Sequence, residues 1–306
     1  MARVLISDPI ADKGVALLKA AGHQVDVKGG LKPDAIAPII GDYDAWIVRS
    51  ATKATADLIA KGVKLKVIAR AGVGLDNVDA KAAQAKGIRV LNTPGATAIS
   101  VAEHALGLMF ALSRHLAAAD RTMRAGQWEK KRFEGRELYG KTLGLVGLGR
   151  IGQETAKRAQ ALGMRVLANR SRNTQPSDDL SALGIRVLPL EQILPQADIV
   201  SLHCPLTDTT RHLINASTLK LMKPGALLIH CARGGVVDEA AVGEALKSGH
   251  LGGAALDVFP EEPVKGTHPL AVFENVILTP HLGASTAEGQ DRAGEDVARL
   301  VIEALA

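Results

Sequence analysis

Short runs dominated by Val, Ile and Leu recur along the chain, separated by stretches long enough for a helix: RVLIS, AWIVRS, LKVIAR, RVLN, TLGLVG, MRVLAN, DIVSLHC, ALLIHC, GAALDV and NVILTP. The apolar residues are continuous instead of alternating, so both faces of each strand are buried. With helices between them, such strands predict parallel sheets covered on both sides. There are more of them than one ordinary nucleotide-binding sheet holds, which predicts two α/β domains. Residues 4–27 and 143–167 read alike as strand, helix, glycine, strand, a weak internal echo. No linker rich in Ser, Gly or Pro and no short repeat is visible. The most apolar stretch, 105–119, is interrupted by Ser113, Arg114 and His115 and is too short to cross a bilayer, so it predicts a buried helix. Two Ser-x-x-Glu patterns, Ser100 with Glu103 and Ser285 with Glu288, predict capping boxes at helix starts. After the second, Ala293, Val297, Leu300, Val301 and Ala304 recur at helical spacing. These two helices are expected to carry the chain from one domain to the other.

Composition narrows the classes of function. The 306 residues are 47% hydrophobic, with a mean hydropathy of +0.11, ample for a buried core. Basic residues number 37 against 32 acidic, a net charge of +5, and they are scattered, Lys130, Lys131 and Arg132 forming the longest run. With aromatics at 3% there is no stacking platform, so no nucleic-acid partner is expected, and a pocket for a small anion fits better. The opening MARVLISDPI lacks the pattern of a signal peptide and starts directly with a strand, so neither export nor a membrane partner is expected. Cys204 and Cys231 have no metal-ligand spacing and form no C-x-x-C pair, which predicts reduced thiols in a cytoplasmic protein and no metal.

A glycine pattern supplies the first candidate chemistry. In TLGLVGLGRIGQETAKRAQALGMRVLAN, Gly147, Gly149 and Gly152 follow an apolar strand and open a helix, and Gly163 and a second strand arrive in order. The first glycine permits a tight turn, the second lets a pyrophosphate approach the backbone, and the third allows close helix–strand packing. The helix N-terminus adds N–H groups and a positive dipole. At the end of the second strand an acidic residue would bind ribose hydroxyls and repel a 2′-phosphate. Here stand Asn169, Arg170, Ser171 and Arg172. Guanidinium forks pair well with phosphate, so NADP(H) is favoured, while a solvated basic turn would leave NAD(H) acceptable.

Downstream, Arg233 follows a strand, Asp257 ends another, Glu261 and Glu262 lie in a loop, and His281 stands just beyond a further strand. Carboxyl ends of parallel strands are where open α/β sheets bind ligands, so these groups can converge on a nicotinamide. The segments VRSATKATADLI, RAGVGLDNVD, NTPGATAISVAEHALGLM, GKTLGLVGLGRIGQE, CARGGVVDE, ALDVFPEEP and TPHLGAST together resemble the D-isomer-specific 2-hydroxyacid dehydrogenases over nearly the whole chain, above all the phosphoglycerate dehydrogenase branch. The resemblance implies two doubly wound parallel-sheet domains, Rossmann-like and flavodoxin-like. A dinucleotide domain, 99–284, would be inserted in a discontinuous substrate domain, 1–98 and 285–306. It also implies a homodimer.

By the same resemblance the catalytic triad falls on Arg233, Glu262 and His281. Arg233 would hold the substrate carboxylate, His281 would exchange the hydroxyl proton, and Glu262 would hold the imidazole and keep its proton available. Arg150 and Ile151 would face the pyrophosphate, Cys204 the adenosine side, and Cys231, Ala232, Asp257 and His281 the nicotinamide. Three positions depart from the family pattern: Arg170 replaces the usual acidic residue, Val73 stands where relatives can place a hydroxyl, and His230 where Asn is frequent.

The expected substrate is a small 2-oxo or 2-hydroxy acid. Arg49 and Arg70 each close a short apolar strand in the part assigned to substrate binding and suit a phosphate, with Lys53 and Lys130 adding to the field; surface ion pairs are the alternative reading. The leading expectation is oxidation of D-3-phosphoglycerate in serine biosynthesis, without regulatory domains or serine inhibition, because the chain ends after the crossing helix. The alternative is an NADPH-dependent glyoxylate/hydroxypyruvate reductase, favoured by Arg170. An alternative of another class is a dinucleotide-sensing binding protein like the corepressors that share this fold, whose docking tails have no counterpart here.

Overall fold

The computed structural model describes residues 1–170 and 184–306. The chain divides into two compact units, residues 1–98 with 284–306, and residues 99–283.

The first unit holds a five-stranded sheet of β1 (Arg3–Ile6), β2 (Gln24–Val27), β3 (Ala45–Val48), β4 (Val67–Arg70) and β5 (Arg89–Asn92), in the order β2-β1-β3-β4-β5. All neighbouring pairs are parallel. Successive side chains of a strand point to opposite faces. Val4, Ile6, Ile47 and Val67 accordingly pack with Ala293, Val297 and Val301 of the helix Ala287–Leu305 on one face. Leu5, Trp46, Val48 and Ile68 pack with Leu58 and Ile59 on the other. The terminal helix is locked to the helix Asp12–Ala20 at Gly14, where a Cβ would lie 2.3 Å from the Gly294 carbonyl oxygen.

The second unit holds seven strands: β6 (Thr142–Val146), β7 (Arg165–Asn169), β8 (Arg186–Val187), β9 (Ile199–Leu202), β10 (Ala226–His230), β11 (Leu251–Leu256) and β12 (Val276–Leu278). They are parallel throughout, in the order β12-β11-β10-β9-β6-β7-β8. The order reverses between β6 and β9, the switch point at which doubly wound sheets open a crevice beyond their carboxyl ends. Val146, Val200, Leu228 and Ala254 belong to its largest core cluster.

The apolar runs of the sequence all form strands. β8, two exposed residues, carries no apolar signal. The long apolar stretch forms two helices, Ala98–Ser113 and Leu116–Arg124, with His115 left-handed (φ 53°) between them. Among the described residues, no helix is long and apolar enough to cross a membrane. Both expected capping boxes shift. The first helix opens at Ala98, which places Ser100 inside its first turn. The terminal helix is capped one residue later than expected, by Thr286, whose Oγ1 accepts from the Gly289 N–H at 3.1 Å.

Candidate active site

The glycine turn sits at the switch point of the seven-stranded sheet. β6 runs into Gly147, which is left-handed at φ 102°, and a Cβ there would lie 2.7 Å from the His203 carbonyl oxygen and 2.8 Å from the Cys204 nitrogen. Only glycine passes this point. At Gly152 a Cβ would lie 2.2 Å from the Gly147 carbonyl oxygen, so the helix Arg150–Ala161 packs directly on the turn. Gly149, its N-cap, is the opposite case. Among the described residues, no atom beyond its own turn lies within 4 Å of where its Cβ would be, and no side chain caps the helix start. An open approach to uncapped N–H groups fits a dinucleotide pyrophosphate, with Arg150 exposed and Ile151 half-buried beside it.

β7 ends at Asn169, whose backbone oxygen accepts from Gly147 N–H and whose side-chain amide donates to the Leu188 carbonyl at 3.1 Å. Asn169 thus ties β7 to its neighbours, a use the sequence did not show. Arg170 follows, half-buried, at the same carboxyl edge. Ser171 and Arg172 lie outside the described residues.

The next strands bring the remaining candidates to that edge. Cys204 is half-buried and burial pushes its thiol up to about 11; Cys231 is buried and its thiol is raised further. Neither has the character of a nucleophile. Ala232 is buried, and its carbonyl accepts from Arg233 Nη1 at 2.8 Å. Beyond Arg233 the chain turns tightly at Gly234, where a Cβ would lie 1.9 Å from the Phe259 carbonyl oxygen. Phe259 in turn donates its N–H to Glu262 Oε1 at 2.9 Å. The other oxygen of Glu262 lies 2.7 Å from His281 Nδ1. Glu261 pairs instead with Lys265 at the surface. His281 is left-handed, φ 54°, and partly exposed, with 46% of its side chain accessible. Its Nδ1 is taken by a carboxylate, so Nε2 is the ring atom left to meet a substrate.

Asp257 is 1% exposed. Burial acts to raise its carboxyl, but hydrogen bonds from His104, Thr279, Leu282 and Gly283 outweigh it and hold the group below the usual carboxylate range. His104 and Thr279 were not singled out from the sequence. A lone histidine in an apolar helix has no spacing signal, although it lies within the AEHALGLM segment. His230, on β10 between β9 and β11, is 1% exposed; among the described residues neither ring nitrogen has a partner at hydrogen-bond geometry, and burial, only partly opposed by the nearby Arg233 backbone, pushes it down to about 3. His203 is pushed down to about 4, also by burial, with Nε2 2.9 Å from Ser201 Oγ.

Arg49 and Arg70 belong to the other unit, where β3 and β4 pair Val48 with Arg70. The Arg49 guanidinium donates to the Pro9 carbonyl at 3.0 Å, and its backbone N–H to Asp8 Oδ2 at 2.6 Å. Arg70 donates to the Gly74 carbonyl and lies 4.0 Å from Asp76. Lys53 is exposed, and Lys130 opens a short turn of helix, Lys130–Arg132, in the second unit.

Comparison with known proteins identifies the family. Residues 106–283 match the D-isomer specific 2-hydroxyacid dehydrogenase, NAD binding domain. A D-3-phosphoglycerate dehydrogenase of Methanocaldococcus jannaschii is 46% identical over all 306 residues, and the chain spans 58% of that relative's length. A hydroxypyruvate reductase of Thermotoga maritima is 45% identical over 99% of the chain and 98% of its own length. An acyclic imino acid reductase solved with NADPH and D-Arg superposes over 100% of this chain and 97% of its own, with a TM-score of 0.88 at 27% identity. The chain belongs to the D-isomer specific 2-hydroxyacid dehydrogenase family, and its cofactor class is nicotinamide dinucleotide.

Proposed function

We propose that the chain interconverts a D-2-hydroxy acid and its 2-oxo acid, with D-3-phosphoglycerate and 3-phosphohydroxypyruvate as the preferred pair. The observation that carries this reading is the Glu262–His281 pair at 2.7 Å, beside the Arg233 turn at the carboxyl edge of a dinucleotide-type sheet. Gly147, Gly149, Gly152, Arg150 and Ile151 would hold the pyrophosphate, and Arg170 the adenosine ribose. Cys204, Cys231, Ala232 and Asp257 would line the remainder. When bound, the cofactor supplies or accepts the hydride at the substrate's C2.

The protein's own groups do the rest. Arg233 holds the substrate carboxylate by charge-assisted hydrogen bonds and polarises the C2 oxygen. His281 gives a proton to that oxygen from Nε2 during reduction and takes it back during oxidation. Glu262, itself fixed by the Phe259 N–H, sets the ring's tautomer and direction. Substrate specificity for a phosphate is assigned to Arg49 and Arg70, which stand at adjacent strand ends. The enzyme is read as a cytoplasmic homodimer, for which exposed Leu116, Met123 and Trp128 offer apolar surface.

A second reading, an NADPH-dependent hydroxypyruvate or glyoxylate reductase, is favoured by Arg170 and by the near full-length match to the Thermotoga maritima protein. One assay separates the two: kcat/KM for 3-phosphohydroxypyruvate, hydroxypyruvate and glyoxylate, each with NADH and NADPH, in wild type and Arg170→Asp. The leading reading expects the phosphorylated acid to be preferred by about tenfold or more, the value of one charge-assisted contact. Preference for hydroxypyruvate or glyoxylate selects the second. In either case Arg170→Asp should move the NADPH/NADH ratio towards NADH, and an unchanged ratio removes Arg170 from cofactor selection.

A further inference from the structure

Asp257 is a buried carboxylate, tolerable only when donors meet its oxygens. Thr279 Oγ–H and Leu282 N–H reach Oδ1 at 2.6 and 2.8 Å, and Gly283 N–H reaches Oδ2 at 2.9 Å. From the helix Ala98–Ser113, His104 Nε2 lies 3.2 Å from Asp257 Oδ1 and 3.3 Å from Thr279 Oγ1. A single Nε2–H therefore lies between both oxygens, and the neutral ring suffices for it.

The position of two of these donors in the chain matters. Leu282 and Gly283 directly follow His281, whose left-handed backbone (φ 54°) a residue with a Cβ adopts only when its surroundings hold it there. Asp257 holds both amides. Gly283 is seated closely as well, since a Cβ there would lie 3.2 Å from Asp257 Oδ2 and 3.4 Å from Val101 Cγ1, on the same helix as His104. The helix thus touches the turn that aims the His281 ring at two points.

We propose that His104 is a positioning residue for His281. Its imidazole steadies Asp257 and Thr279, the carboxylate fixes the two amides after His281, and those amides set the direction in which the His281 ring projects. The proposal rests on the reading of His281 as the proton-exchanging group. His104 itself needs no contact with substrate or cofactor.

The test combines amide hydrogen exchange at Leu282 and Gly283 with steady-state kinetics on the full chain, comparing wild type, His104→Leu and His104→Gln. Losing one hydrogen-bond donor to the buried carboxylate should speed exchange at those two amides by about tenfold and lower kcat by a similar factor, with KM for the 2-oxo acid unchanged. Gln carries an N–H at the reach of Nε2 and should restore both. Thr279→Val, which removes the hydroxyl that His104 shares, should loosen the same two amides and gives the same reading should His104→Leu fail to fold. Protection of Leu282 and Gly283 equal to wild type in the Leu or Val variant, or no rescue by Gln, would overturn the proposal. Wild-type protein that turns over no 2-oxo acid would instead defeat the functional reading, and the exchange rates would still decide whether the clamp exists.

Discussion

Burial holds two histidines neutral at the carboxyl edge of the seven-stranded sheet, His230 at about 3 and His203 at about 4, against an ordinary value of 6.5. In the unfolded chain both take up protons as the pH falls through 6.5, whereas the folded protein does not accept them until much lower. The unfolded state therefore binds more protons in this window, so the stability they contribute is complete above pH 6.5 and is lost progressively as the pH falls from there towards 4. Asp257, whose carboxyl is depressed, adds its own loss only below the ordinary carboxylate value of 3.8. Between pH 7 and pH 5 the histidines thus dominate, and His230→Asn should lose less melting temperature across that interval than wild type. Equal losses would mean that His230 is hydrated or paired in solution. The sequence marked His230 as a departure from the family pattern but gave no sign that its ring would be buried between two strands. Arg233, Glu262 and His281 each stand in a distinct motif at a strand end, which made them candidates, and the structure brings Glu262 and His281 together. His104 and Thr279 were not candidates, because their partner Asp257 is remote in sequence and no periodicity links them.

Continuous apolar strands between helices made both sheets legible, since burial on both faces leaves few polar positions to confuse the reading. The cap positions were less so. A Ser-x-x-Glu pattern says that a helix starts nearby, yet with Ser285 and Thr286 adjacent either hydroxyl can serve, and in the structure Thr286 is the cap. The glycine turn separates two demands that the motif merges. Gly147 and Gly152 are required by the fold, because side chains there would strike backbone, whereas among the described residues nothing crowds a Cβ at Gly149. Gly149→Ala should therefore leave the melting temperature of the cofactor-free protein within about 2 °C, the shift expected of a substitution costing roughly 0.5 kcal/mol. It should nevertheless weaken NADH and NADPH binding by about tenfold or more, because the added methyl occupies the pyrophosphate's approach. Unaltered cofactor affinity would place the dinucleotide elsewhere.

At the scale of the whole chain, the first unit is assembled from both ends of the sequence, held by the approach of Gly14 to Gly294, and the second from the middle. Strand order was not readable, because order depends on which side each crossover takes and not on the strands themselves. The substrate is the least legible feature. By position Arg49 and Arg70 suit either a phosphate or surface ion pairs, and both guanidinium groups also serve carbonyls of their own unit, Pro9 and Gly74. Arg233, Glu262 and His281 lie within one unit, at the carboxyl edge of one sheet. In the proposed chemistry His281, with Glu262 on Nδ1, exchanges the proton at the substrate's C2 oxygen. The measurement that tests it most directly is kcat of His281→Ala against wild type with the preferred 2-oxo acid, alongside NADH affinity. A fall of about 10²- to 10⁴-fold with cofactor binding retained is expected; turnover equal to wild type would remove His281 from the proton exchange.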